Sequence, residues 1–175
     1  MKQQLVLAVL GNHKTGVIEK LTKSIHDSGA NIIDSRMGNM GNELGMLLLV
    51  AGSWDTIAKI EDTLPRLESE LGAKISSTRT GKRQTNNRQI PYTIEIVCSD
   101  RKGIIHDVVK FFLENQIDIC ELYSNTYQSP HTDVTMFSMH MIVNIPVDSS
   151  IASIRTEFMD FCDHLNLDAV MEPAK

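Results

Sequence analysis

The sequence is short of the residues that mark a specialised chemistry. Cysteine is scarce: Cys98, Cys120 and Cys162 are too few and too scattered for a disulfide framework or a CxxC metal knuckle, and they read as small buried hydrophobes in a reducing interior. No apolar run is long enough to span a bilayer. Residues 5–10 are also too short for a signal-peptide core, so a cytoplasmic chain with no membrane partner is expected. Positive charge is not in excess. With 17 Lys and Arg against 22 Asp and Glu, and a pI near 5.6, the chain lacks the basic face that gripping nucleic acid requires, and no direct DNA binding is expected.

Catalytic signatures are missing as well. His13, His26, His106, His131, His140 and His164 form no HExxH or HxH and have no carboxylate at ligand spacing, so no metal site is expected. There is no GxSxG nucleophile elbow. Gly11 and Gly16 have the GxxxxG spacing of a nucleotide loop, but Val17-Ile18 follow in place of Lys and Ser/Thr, and GxGxxG is absent. No acid–base pair can be placed at one locus. The expectation is a chain that is not an enzyme and carries no cofactor.

What the sequence does have is an internal repeat. LGNHKTGVIEKL, residues 10–21, is echoed by CSDRKGIIHDVV, residues 98–109, at an offset of 87 positions (103 − 16). The same offset pairs Leu21 with Val108, Ile25 with Phe112 and Ile32 with Ile119. A helical stripe at Ile57, Ile60, Leu64, Leu67 and Leu71 recurs as Ile151, Ile154, Phe158, Phe161 and Leu165, offset by 94 (151 − 57). The second copy therefore carries extra residues between its two helices, and the loop at 128–133 is the expected place.

Each copy reads as β-α-β-β-α-β. In the first, the expected strands are 5–10, 31–38, 44–52 and 73–79, and the helices 15–28 and 54–71, stopped by Gly29 and Gly72. Ser53 is the expected cap of the second helix, and Pro65 is expected to bend or split it. In the second copy the elements are 92–98, 102–115, 117–127, 136–145, 150–164 and 167–172. Alternation puts His140 opposite Met139, Met141 and Val143, as a strand residue and not a catalyst. The methionines flanking both hairpins, Met37, Met40, Met46, Met136, Met139 and Met141, read as core filling. Helices amphipathic on one side imply an α+β fold: two ferredoxin-like sandwiches in tandem, antiparallel sheets with helices on one face. The domains are expected at 1–80 and 92–175, with 81–91 a polar linker that, together with Arg79, concentrates positive charge.

At this level the two copies resemble ACT domains, small-molecule-sensing modules of this topology in which the loop between first strand and first helix takes part in effector binding. NIIDSRM (31–37) and AGSWDTIAKIEDTLP (51–65) resemble more closely a family of free-standing ACT pairs. The resemblance implies regulation: repression of glycine cleavage genes through contact with a LysR-type transcriptional activator, released when glycine is present. The family loop reads Asp-x-Pro-Gly; here His13-Lys14-Thr15-Gly16 and Asp100-Arg101-Lys102-Gly103 keep the glycine and lose the proline, and the first also loses the acid.

A carboxylate placed on the helix N-terminal N–H groups of Thr15, Gly16 and Val17 would gain about 0.3–1 kcal/mol there. The ammonium would go to side-chain oxygens, Asn12 and Asn31 in the first copy, Asp100 and Asp118 in the second, each pair expected to lie close. His13 shares the first loop, and Gly103 is the second copy's counterpart of Gly16. Alternatives are a bare turn at each glycine, an interaction scaffold without ligand binding, and an RNA-binding regulator using the basic linker. An RNA-binding sheet would carry stacking aromatics, which residues 5–10 and 44–52 lack. A regulatory portion of a metabolic enzyme ranks lower, on the expectation that the chain is complete at both ends. Unprotected sheet edges make a homodimer an expectation too.

Overall fold

Leu5, Leu7 and Val9 alternate with Gln4, Val6 and Ala8, so the first strand, β1 (Gln3–Asn12), can bury one face only. The chain then forms α1 (Val17–Asp27), β2 (Asn31–Met40), β3 (Glu43–Gly52), α2 (Trp54–Leu71) and β4 (Ala73–Thr80). A second set follows: β5 (Gln89–Ser99), α3 (Ile104–Glu114), β6 (Asp118–Gln128), β7 (Thr135–Pro146), α4 (Ile151–His164) and β8 (Asp168–Pro173). The computed structural model describes residues 2–12, 16–82 and 88–174. The chain divides between residues 84 and 85 into two units. Each holds a four-stranded antiparallel sheet, ordered β2-β3-β1-β4 in one and β6-β7-β5-β8 in the other. This is the expected α+β architecture, a ferredoxin-like sandwich built twice.

One face of each sheet is covered. In the first unit Leu7 and Leu48, directly paired across β1 and β3, pack with Leu21 of α1 and Ile57 and Ile60 of α2. In the second, Ile94 and Met141 are the paired central residues, under Phe112 of α3 and Phe158 of α4, whose rings lie 5.1 Å apart. The other face of each sheet has no helix on it, and His140 lies on that open face of β7, stacked 4.6 Å from Tyr123.

The two copies differ where insertion disturbs least. The tight turn at Gly41-Asn42, with Gly41 at φ 62°, becomes residues 129–134 in the second hairpin, which also gains one ladder rung, Gln128 with Thr135. Further length enters between β7 and α4. A bulge falls at the same place in both edge strands, between Ile32 and Asp34 and between Ile119 and Glu121.

Several expectations need correcting. Gln89, Ile90 and Pro91 were expected in the linker but open β5: Ile90 packs on the second core, and the Pro91 carbonyl accepts from the Ala174 N–H at 3.0 Å. Residues 83–87 of that linker lie outside the described residues. Pro65 does not split α2, which runs unbroken for 18 residues. Pro65 is on the exposed side, where the carbonyl it leaves without a donor can take water, while Leu64 and Leu67 anchor the helix on either side. Met37 and Met40 are exposed and fill no core, and Cys120, at the bulge, is only half-buried. The thiol of Cys162 does sit in the core, where burial pushes its pKa up to about 12.

Arg79, expected to add to a basic strip, is engaged within its own unit. Its guanidinium donates to both carboxylate oxygens of Glu61 on α2, at 2.9 and 2.6 Å, and lies 5.5 Å from the Trp54 ring centre. The hydrogen bonds from Arg79 hold the Glu61 carboxyl below its ordinary pKa of 4.5. A carboxyl lowered in the folded state adds stability above its unfolded pKa and loses it as pH falls through the folded value. Thermal melts should therefore place Glu61→Gln below the wild type at neutral pH, with the gap closing from about pH 5 to about pH 3.

Gly11 is a packing requirement. A Cβ built on it would lie 2.5 Å from the Ala73 Cβ and 2.8 Å from the Ala73 Cα, where β1 meets β4. Gly11→Ala should lose about 1–3 kcal/mol in urea unfolding by forcing the strands apart. Gly38, with open space around its Cβ position, should tolerate Ala with little loss.

Candidate functional site

The helices that follow the two central strands start on the same backbone conformation. Gly16 (φ 93°, ψ −7°) and Gly103 (φ 91°, ψ −3°) are both left-handed helix N-caps, and neither helix has a side-chain cap. A residue with a Cβ is strained at such a φ. The first-turn N–H groups of α1 and α3 thus have no capping side chain at the end of the helix that attracts anions.

Around the second turn the chain builds a cleft of about 420 Å³. Asp100, Arg101, Gly103 and His106 supply one wall, and Asn125 and Phe137, from β6 and β7, lie across from them. The turn is held down at both ends. The Asp100 N–H donates to the Thr135 carbonyl at 2.8 Å, and Arg101 Nη1 donates to Asp107 Oδ2 at 3.2 Å. Asn125 Oδ1 accepts from Ser138 Oγ at 2.5 Å, which fixes the amide at the cleft edge. Beneath the turn Cys98 is buried, and burial pushes its thiol pKa up. The arrangement offers a carboxylate, a guanidinium, an imidazole and unoccupied helix N–H donors around one small space. It suits a zwitterion.

The structure separates residues that were expected together. Asp118 pairs with Asn144, which pairs in turn with Pro91 near the start of β5, whereas Asp100 follows the end of that strand. Nine residue steps separate these levels, roughly 30 Å. Asn31 and Asn12 are parted likewise: Asn31 pairs with Ala51, Asn12 with Glu43, at opposite ends of β3. The helix after the first strand returns along the sheet, so the next strand starts at the far end. Neither Asn31 nor Asp118 belongs to its copy's turn. In the first copy Asn12, Gly16 and the buried Val17 remain at the turn, and His13 and Thr15 fall outside the described residues.

Arg101, His106 and Asn125 were not singled out from the sequence. Arg101 and His106 are neighbours of Gly103, but Asn125 becomes visible only by counting β6 back from its hairpin, through the pairs Thr126–Phe137 and Asn125–Ser138. Among the described residues no three His, Cys, Asp or Glu side chains converge as a metal set, and no helix is long and apolar enough to cross a membrane.

Known proteins place the chain. The glycine cleavage system transcriptional repressor of Escherichia coli (strain K12) is 28% identical over 162 residues, 93% of this chain and 85% of that protein. Among solved structures, an unknown protein from Galdieria sulphuraria matches with a TM-score of 0.78 at 22% identity, over 100% of both chains. Another, provisionally described as a glycine cleavage system transcriptional repressor, matches at 0.72 and 23% identity, over 100% of this chain and 99% of that one. At these identities the two structures speak for the fold. Residues 3–78 match the ACT domain, and the second unit repeats the element order of that matched segment.

Proposed function

We propose that the chain is a non-enzymatic transcriptional regulator that senses a small amino acid, glycine first among them, and represses glycine cleavage genes through contact with a LysR-type activator. The observation that carries the sensing half is the cleft at the second strand-to-helix turn, with Gly103 leaving the N–H groups of α3 without a side-chain cap. An amino-acid carboxylate sits on those N–H groups, where the helix dipole contributes roughly 0.3–1 kcal/mol. The ammonium lies toward the Asp100 carboxylate. Glycine fits such a site because it presents only these two groups. The regulatory half rests on similarity to the Escherichia coli repressor.

RNA binding is not favoured. Strands β5, β6, β7 and β8 contain no Lys or Arg, and Glu95, Asp168 and Glu172 occupy the open face of their sheet, the reverse of what phosphates need.

Thermal unfolding of the full chain against a panel of amino acids tests the sensing half. A ligand at about 100 times its dissociation constant adds about 2.7 kcal/mol to the folded state, which should raise the midpoint by roughly 5–10 °C. Glycine should give that shift, Asp100→Ala should remove it, and Asp118→Ala, at the far end of the sheet, should keep it. Absence of a shift with any amino acid at millimolar concentration would leave an interaction scaffold in place of a sensor. For the regulatory half, co-purification with the LysR-type activator should weaken when glycine is added.

A further inference from the structure

On their helical side the two units differ at one groove. In the second unit the space between α3 and α4 is closed by Phe111 and Phe161, whose rings lie 4.9 Å apart. At the two repeat offsets their counterparts are Ser24 on α1 and Leu67 on α2. Ser24 has no ring to lay across the gap, and the groove between α1 and α2 stays open as a cleft of about 330 Å³. Small-molecule sites begin at about 300 Å³.

The charge of the groove is reversed as well. Lys20 and Lys23 of α1 and Lys59 and Arg66 of α2 line it, with Asp27 and Glu70 as its acids. The equivalent positions of the second unit hold Asp107, Glu114, Glu157 and Asp160 beside the single cation Lys110. An acidic chain has gathered four cations along one groove of one copy. Both acids there are taken by their own helix: Lys23 Nζ donates to Asp27 Oδ2 at 2.7 Å, and Arg66 Nη1 to Glu70 Oε1 at 3.2 Å. Among the described residues neither Lys20 nor Lys59 forms an ion pair, and the hydroxyl of half-buried Ser24 makes no hydrogen bond.

Strands β1 and β3 are antiparallel and each is followed by a helix that runs back along it, so α1 and α2 point in opposite directions. The hydrogen bond from Lys23 first, and more weakly the charge of Lys59, hold the Asp27 carboxyl below its ordinary pKa, which puts Lys59 at the Asp27 end of the groove. Lys20 precedes Asp27 by seven residues (27 − 20) on α1, roughly 10 Å along the axis. The two unmatched ammoniums mark opposite ends of the groove.

We infer that the groove between α1 and α2 binds a small molecule carrying more than one phosphate group, a ligand separate from the amino acid assigned to the second turn. Lys20 and Lys59 each take a phosphate, the Ser24 hydroxyl donates between them, and Leu67 underlies the atoms that join the two. A compact ammonium suits phosphate oxygens, whereas holding a carboxylate by two parallel bonds calls for a free guanidinium, and Arg66 is already on Glu70.

Isothermal titration calorimetry of the full chain with tripolyphosphate, at a fixed ionic strength of about 0.1 M, tests this. Tripolyphosphate is short enough to lie in the groove with its end phosphates in reach of both lysine side chains, and the wild type should bind one. Ser24→Phe, which lays the second unit's side chain across the groove and alters no charge, should abolish binding. Lys20→Gln/Lys59→Gln, which leaves the groove open, should weaken it by about tenfold or more. Lys110→Gln on α3 and Asp100→Ala at the second turn should leave it unchanged, so loss of amino-acid sensing and loss of this site read out separately. Absence of binding, binding indifferent to both groove variants, or citrate bound as tightly as tripolyphosphate would overturn the inference. Circular dichroism checks the fold of each variant, and if Ser24→Phe does not fold, the lysine variant and the citrate comparison decide.

Discussion

The structure depends on burying one face of each sheet and not the other. Leu5, Leu7 and Val9, set against Val50, Leu48 and Met46, tie the register of the central strands to the core, because a slip of one residue would expose all six. Ile94 and Ile96 against Met141 and Met139 impose the same in the second unit. At about 25 cal/mol per Å² of apolar surface removed from water, this is the dominant favourable contribution in either unit. Everything facing the other way is released from that demand. The two copies accordingly agree inside and disagree outside: aliphatic side chains with charges of both signs, Asp34, Glu43 and Lys74, on one open face, and carboxylates and tyrosines without Lys or Arg on the other.

The same one-sided burial fixes where a ligand site can be. Both helices must lie on the covered face, so the chain leaving the end of β1 or β5 turns at once through a left-handed glycine and runs back. That geometry puts a helix N-terminus beside the end of the central strand in each copy, and beside the hairpin end of the neighbouring pair. In the second unit this brings Asp100 against Thr135 and sets Asn125 across the cleft. The site therefore follows from topology, and its chemistry from a few residues at the turn. Between the strand and the glycine the two copies differ in sequence, Asp100-Arg101-Lys102 in the second against His13-Lys14-Thr15 in the first.

Most of the fold was legible in the sequence because the signals were local or repeated. The stripes Leu21–Ile25 and Val108–Phe112, the Ser53 cap and the Gly29 and Gly72 stops all report neighbours within a turn or two. The repeat added a second reading of each element. The candidate site was half legible. Gly103 and Asp100 lie in the turn itself, but Asn31 and Asp118 were assigned by their place in the order of elements, which says nothing of which end of the sheet a strand starts from. Strand pairing carries that information, through contacts such as Asn12 with Glu43 that no local pattern encodes. Gln89 to Pro91 were misplaced for a related reason: their polarity and proline suggested a linker, while their partners Pro146, Ile145 and Asn144 lie more than 50 residues away.

The hairpin insertion follows from the same constraint. Extra residues inside a central strand would turn its inward side chains outward, and in a helix they would rotate the buried stripe by about 100° each. At the hairpin tip they alter neither. The added rung, Gln128 with Thr135, extends the ladder, and lengthening a loop from two residues to six adds only about 1 kcal/mol of closure entropy. The equal placement of the two bulges, after Ile32 and after Ile119, indicates that the frame below the tip was kept residue for residue. The tip of β6 and β7 lies at the sheet end that bears the candidate cleft, since the Thr135 carbonyl receives the Asp100 N–H. The place that tolerates growth in this fold is thus also the place that can reshape the site, and the second copy has used it.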